Sequence, residues 1–383
     1  MKAKSIKGKS TKEINAALQE SMADGFLPTL AIVFLSIKQD RKGITEILND
    51  KGITVFGATT AGEFVDGNYE SGSIAVLLLD MDKSYFNIFF EDYRGKDPGN
   101  VAKRLGEKSL LEFTNPAFIV TSSGMLLDGE KVIRGLEDAA GSKINIWGGK
   151  AGDDGMGKET FVFTNRSSSN EGILLLAINN DKISVKGQAE SGWKAVGTPK
   201  SITSSEGLWI YTLDDIPALE LMIKYMGYKF QRNEESDMVY DGKITSPVML
   251  VRQKGEPILR SQVFMNWADK SIMLSGNFDV NDKVRFTLPP DFEVIDDVVK
   301  SAQNLKETEF PESDALIMFS CSGRLIELGP MLNNEIDGIR KTYNSPMAGF
   351  FTYGEYGRAT NGDNEYHNYT CCWIALKENL NLK

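Results

Sequence analysis

Apolar positions along the chain alternate between two rhythms. In residues 11–22, Ile14, Leu18 and Met22 fall at helical spacing with Thr11 as cap, and residues 29–35 follow as a continuous apolar run bounded by Pro28 and Ser36. Ile44, Ile47 and Leu48 mark a second helix. Residues 53–56 then form a strand that runs into the glycine-containing segment 57–64. Beyond a turn-rich stretch at 66–72, residues 74–81 and 85–90 read as a hairpin across Asp82 and Lys83.

The same order recurs twice. A helix at 101–111, a strand at 117–120 ending in Ser122-Ser123-Gly124, a helix at 131–140 and a strand at 144–147 lead into Gly148-Gly149-Lys150-Ala151-Gly152. Near the carboxyl end, a helix at 294–305, a strand at 315–319, a helix at 335–342 and a further strand lead into Gly349-Phe350-Phe351-Thr352-Tyr353-Gly354-Glu355. Taking Ser36, Ser122 and Ser320 as equivalent, the spacing to the next glycine drifts, so the repeat is one of structure. Each unit ends one strand in small polar residues and the next in glycines, the kind of strand end where open α/β sheets place ligands.

These elements predict an α/β (α+β) fold of mixed β-sheets flanked by helices, in two domains built from repeated helix-strand-helix-strand-hairpin units. Residues 187–207, rich in Gly, Ser and Thr, precede the expected boundary. The division is a tail and first helix over 1–26, a first domain over 27–213 and a second over 214–383. The second domain opens with a helix at 217–227 and an antiparallel stretch at 248–251, 258–264 and 272–274.

Charge narrows the partners. With 53 acidic against 43 basic residues and a net charge of -10, the average field repels nucleic acid and anionic membranes. Lys2, Lys4, Lys7, Lys9 and Lys12 read as a solvated tail, since no apolar segment follows them as a signal peptide requires. The longest apolar runs are far short of a membrane span. Cys321, Cys371 and Cys372 offer no disulfide framework, which places the chain in a reducing cytoplasm. Two glycosylation-type sequons, at Asn165 and Asn368, are chance matches without a secretory signal.

The candidate chemistry is sparse. Residues 152–158 have P-loop spacing, but Glu159 stands where Ser or Thr should hold magnesium and a strand follows where a helix is needed, so no nucleotide is expected. A single histidine, His367, excludes a multi-histidine metal site, and neither metal nor cofactor is expected. Arg324 could grip a carboxylate and Glu355 an ammonium, with Tyr353 and Tyr366 as walls, which would suit an amino-acid-like ligand. The alternative is an internal Arg324–Glu355 ion pair. Cys321 with His367 could instead form a nucleophilic pair for a hydrolase or transferase.

At this point the chain resembles the FIST proteins. Residues 57–64 look like the family's GATTAGE segment, 148–153 like its GG-x-AGD loop, and 319–324 like FSC-x-GR. Glu335 is similar to its acidic helix residue, 349–355 to GFYTYGE and 367–370 to HN-x-T. Phe351 and Tyr366 depart from the usual residues. The resemblance implies a non-enzymatic, bacterial sensory protein that binds a small ligand such as an amino acid. On that reading Cys321, Arg324, Tyr353, Glu355, His367 and Asn368 form the site, and Thr59, Thr60, Glu63 and Asp153 are secondary candidates in the first-domain loops. With no kinase, cyclase, chemoreceptor or F-box segment in sight, output is expected through a partner protein or a homo-oligomer. A protein-interaction scaffold without a small ligand is a further alternative.

Overall fold

In a computed structural model, which describes residues 1–227, 238–239, 247–251, 257–288, 291–359 and 362–379, three units share one topology. The first comprises strand Ala3–Gly8, helix Thr11–Met22, strand Leu30–Ser36, helix Arg41–Asp50, strand Thr54–Thr60, the short strands Glu63–Val65 and Asn68–Glu70, and strand Ile74–Leu79. The second repeats this order as Phe86–Asp92, Pro98–Glu112, Pro116–Ser122, Gly129–Ala140, Asn145–Lys150, Val162–Phe163, Ser168–Ser169 and Gly172–Asn179. The third begins with strand Ile183–Glu190 and resumes at helix Glu293–Thr308. It continues through Ala315–Cys321, helices Ser322–Leu328 and Leu332–Tyr343, strands Met347–Thr352, Glu355–Arg358 and Asn364–His367, and strand Cys371–Glu378.

Each unit holds one parallel pair, and the three pairs end in equivalent register: Ser36 opposite Thr60, Ser122 opposite Lys150, and Cys321 opposite Thr352. The third member of the serine series is therefore Cys321, and Ser320 pairs one step earlier with Phe351. Antiparallel strands close one side of each pair. On the other side the units interlock. Glu63–Val65 of the first unit pairs with Met347–Thr352 of the third, Glu355–Arg358 of the third with Asn145–Lys150 of the second, and Val162–Phe163 of the second with Thr54–Thr60 of the first. Three hairpins are thus passed around a ring.

This exchange explains the glycines. Gly57 faces Phe163, Gly349 faces Phe64 and Gly148 faces Tyr356 across the exchanged pairs. A Cβ on Gly57 or Gly349 would lie 2.2 Å from the opposing ring, and Gly148 combines φ +148° with a backbone carbonyl, that of Val120, in the place of its Cβ. These glycines lie inside strands, which corrects their assignment to loops.

Strands buried on both faces read as continuous apolar runs, and alternation decides which face each residue serves. Leu30, Ile32 and Phe34 join Ala117, Ile119, Ala315, Ile317 and Phe319 in a central core shared by the three sheets. Ala31, Val33 and Leu35 face the first unit's own helices, and Phe118 and Val120 face those of the second. At the centre, the Phe34 ring lies 4.5 Å from that of Phe350, tilted by 41°, with Phe319 edge-on to both.

Several sequence expectations change. The lysine-rich start is no tail: Ala3–Gly8 pairs with Ile74–Leu79, Ile6 is buried, and Lys4, Lys7 and Lys9 meet Asp24 and Glu70. Lysines on an edge strand block further pairing. The first helix is capped by Ser10, which accepts from the Glu13 N–H, in place of Thr11. The expected 74–90 hairpin is a crossover instead. Ile74–Leu79 closes the first unit, whereas Phe86–Asp92 opens the second by pairing with Gly172–Asn179. The short helix Ser322–Leu328 was not anticipated.

Between Ile183–Glu190 and helix Glu293–Thr308 lies an antiparallel sheet with helix Ala218–Met226 against it. Strands Ala195–Glu206 and Trp209–Leu213 pair there with Lys283–Thr287 and Ser271–Leu274. The class is α+β with mixed sheets, in two domains.

Candidate functional site

The end of strand Ala315–Cys321 meets the end of strand Asn145–Lys150 beside the inserted sheet, and a cavity of about 150 Å³ lies where they converge. Lys150 and Met125 come from the second unit, Cys321 and Tyr353 from the third, and Ser261 and Ser275 from the inserted sheet. Tyr366 and Asn368 complete the wall behind them.

Lys150 is buried, with Nζ donating to the carbonyls of Leu127 at 2.8 Å and Met125 at 3.4 Å. Burial lowers its pKa to about 8, and the Asp128 carboxylate opposes that only in part. Asn368 accepts from the Ser275 hydroxyl and from the Ser261 N–H at 3.3 Å, tying the inserted sheet to the third unit. Tyr366 donates to the Tyr353 carbonyl at 3.0 Å. Arg260, also from the inserted sheet, pairs with Glu130 and donates to the Tyr366 carbonyl at 2.7 Å.

The expected residues divide. Cys321, Tyr353 and Asn368 line the cavity. Arg324 does not: fully buried, it pairs with Glu335 through two nitrogens and donates to the carbonyls of Ser191 at 2.7 Å and Tyr369 at 3.1 Å. Its cation also sits 4.9 Å from the Trp193 ring. With its donor fork occupied, it clamps the third unit to the chain entering the inserted sheet. Its acidic partner is Glu335, not Glu355 as the ion-pair alternative had it.

Glu355 is buried behind the cavity wall, accepting from the Thr352 hydroxyl and from the Thr370 N–H at 3.3 Å. Burial pushes its pKa up to about 8, so near neutrality it is largely an uncharged acid and a poor partner for an ammonium. His367 lines a different cavity, of about 420 Å³, with Glu190 and Trp193. Burial and the neighbouring Glu355 push the Cys321 thiol well above its ordinary pKa. An activated thiolate needs the opposite shift, which counts against Cys321 as a nucleophile.

The secondary candidates serve the ring. Thr59 donates to the Gly152 carbonyl at 2.7 Å and accepts from the Phe161 N–H at 2.8 Å. Thr60 donates to Glu63, which is buried and also accepts from the Ser73 N–H at 2.9 Å and hydroxyl at 3.1 Å. Asp153 receives the N–H groups of Gly157, Lys158 and Glu159 at 2.9, 2.6 and 3.0 Å, and the Tyr353 hydroxyl. The P-loop-like segment therefore wraps its own carboxylate in the place a phosphate would take.

Residues 29–216 match the FIST N domain, and residues 218–358 match the FIST C domain. The chain belongs to the FIST family. Members of this family are sensory, signal-transduction proteins that bind small ligands, and the family is not a catalytic one. No curated protein matches the chain. Among the described residues no cluster of His, Cys, Asp and Glu could hold a metal ion, and no helix is long and apolar enough to cross a membrane. In this FIST protein the residues that sequence reasoning missed are Lys150, Ser261 and Ser275. Lys150 stood within the GGKAGD segment, where a lysine in a buried strand end is the available signal. Ser261 and Ser275 carried none.

Proposed function

We propose that this FIST protein senses a small ligand, an amino acid or a related metabolite, in the cavity between Lys150, Cys321 and Tyr353. The observation that carries the reading is convergence: three separate parts of the chain contribute polar and aromatic side chains to one space. A ligand there touches the second unit, the third unit and the inserted sheet at once, so occupancy is linked to how these parts hold together. Ile326, 56% exposed on the short helix beside the cavity, offers a surface through which occupancy reaches a partner protein or a second copy of the chain. Free, buried cysteines fit a reducing compartment, and a cytoplasmic site of action is part of the proposal.

A thermal-shift screen of amino acids and related metabolites tests it. A ligand at about 100 times its dissociation constant stabilises the fold by about 2.7 kcal/mol. The variant Val263→Trp, which puts an indole into the cavity wall, is expected to lose the shift while keeping the unliganded melting temperature near that of the parent. No shift from any compound across a broad panel counts against the reading.

A further inference from the structure

Lys150 is a buried cation in the wall of a cavity that no carboxylate lines, and the nearest acid to act on it, Asp128, is engaged with the Glu130 N–H at 3.0 Å and the Asn277 side chain at 3.1 Å. Among the described residues no carboxylate forms an ion pair with it, and its two hydrogen bonds go to backbone carbonyls. An ammonium has three donors, and a buried charge left partly unmatched is costly. No acidic residue, arginine or histidine stands among the described residues that line the cavity. Glu355, an acid of the third unit, is enclosed by Thr352 and Thr370. Met125, Val263 and Ile326 supply the aliphatic part of the wall, beside uncharged polar groups such as Ser261, Ser275 and Asn368.

We infer that the ligand is a small carboxylate with an apolar tail and without an α-ammonium group, its anionic head completing the coordination of Lys150. This rests on the small-ligand reading of the same cavity and sharpens it. A zwitterionic amino acid would bring an ammonium next to Lys150 with no carboxylate to receive it. A simple carboxylate satisfies the lysine, buries its tail against Val263 and Ile326, and leaves no charge unmatched. The lowered pKa of Lys150 agrees, since a cation already paired with an acid would be held higher.

Isothermal titration of the full chain with two matched series tests this: isocaproate, isocaproamide and leucine, then hydrocinnamate, hydrocinnamamide and phenylalanine. In at least one series the carboxylate is expected to bind about ten-fold or more tightly than its amide and its amino acid, as a charge-assisted hydrogen bond implies. Lys150→Met should remove that preference and Lys150→Arg should keep part of it. The comparison within the unmodified protein stands even if a variant fails to fold. Equal or tighter binding of the amide or amino acid overturns the inference, as does a carboxylate preference that survives in Lys150→Met. If neither series binds but another metabolite raises the melting temperature, the inference falls and the sensory reading stands. If no compound shifts the protein, both fall.

Discussion

Arg324 shows how a motif residue can be structural. The chain places it at the start of a short helix, where its guanidinium spans Glu335 and two carbonyls from distant segments. Arg324→Met leaves Glu335 buried without its partner and should lower stability by about 3–5 kcal/mol, read by urea denaturation. The buried acids Glu63 and Glu355 predict a pH effect. Burial raises them from 4.5 to about 7 and about 8; the Asp154 carboxylate adds to the rise of Glu63 while hydrogen bonds from Thr60 and Ser73 oppose it, and Thr352, Thr370, Cys321 and Arg324 oppose the rise of Glu355. The folded chain therefore holds protons that the unfolded chain has lost above 4.5, and stability falls as pH rises toward those values. Each group contributes a slope of up to about 1.4 kcal/mol per pH unit. The melting temperature should decline through this window, and the double variant Glu63→Gln, Glu355→Gln should flatten the decline in calorimetry. An unchanged slope would show that neither acid stays protonated in the fold.

Two of the exchanged hairpins depend on a glycine that leaves room for an aromatic ring over the neighbouring strand. Gly57 under Phe163 and Gly349 under Phe64 are equivalent positions in different units. Gly349→Ala forces a ring aside and is expected to cost about 1–3 kcal/mol, the range for overpacking a filled core. Gly349→Ala combined with Phe64→Leu should recover part of the loss, measured as coupling in a double-mutant cycle. Additive effects would mean the ring and the glycine do not act as a pair.

The whole molecule is closed by strands that cross between its halves. Ile183–Glu190 pairs with Cys371–Glu378, Glu63–Val65 with Met347–Thr352, and Asn145–Lys150 with Glu355–Arg358. A fragment ending at residue 216, where the FIST N match ends, loses all three partners and exposes the central core. Such a fragment should lack the dispersed amide spectrum and cooperative melting of the full chain, while the full chain melts its three units in one transition. Independent folding of the fragment would break this account.

Periodicity alone determined most helices, most strands and the fact of a threefold recurrence, because continuous apolar runs and 3.6-residue spacing are local properties of a chain. Strand partners are not local. Whether Ile74–Leu79 turns back on Phe86–Asp92 or closes a separate sheet depends on which surfaces remain to be covered, and the central core decides it. For the same reason the lysine-rich start looked like a tail until its strand partner was in place. Motif residues announced the neighbourhood of the site, and Cys321, Tyr353 and Asn368 do meet at one cavity. Which charges face that cavity was beyond sequence: Arg324 and Glu355 turn inward to partners of their own, and Lys150 reaches the space from another unit. Burial and pairing are set by the tertiary structure, and they determine what each charge can do.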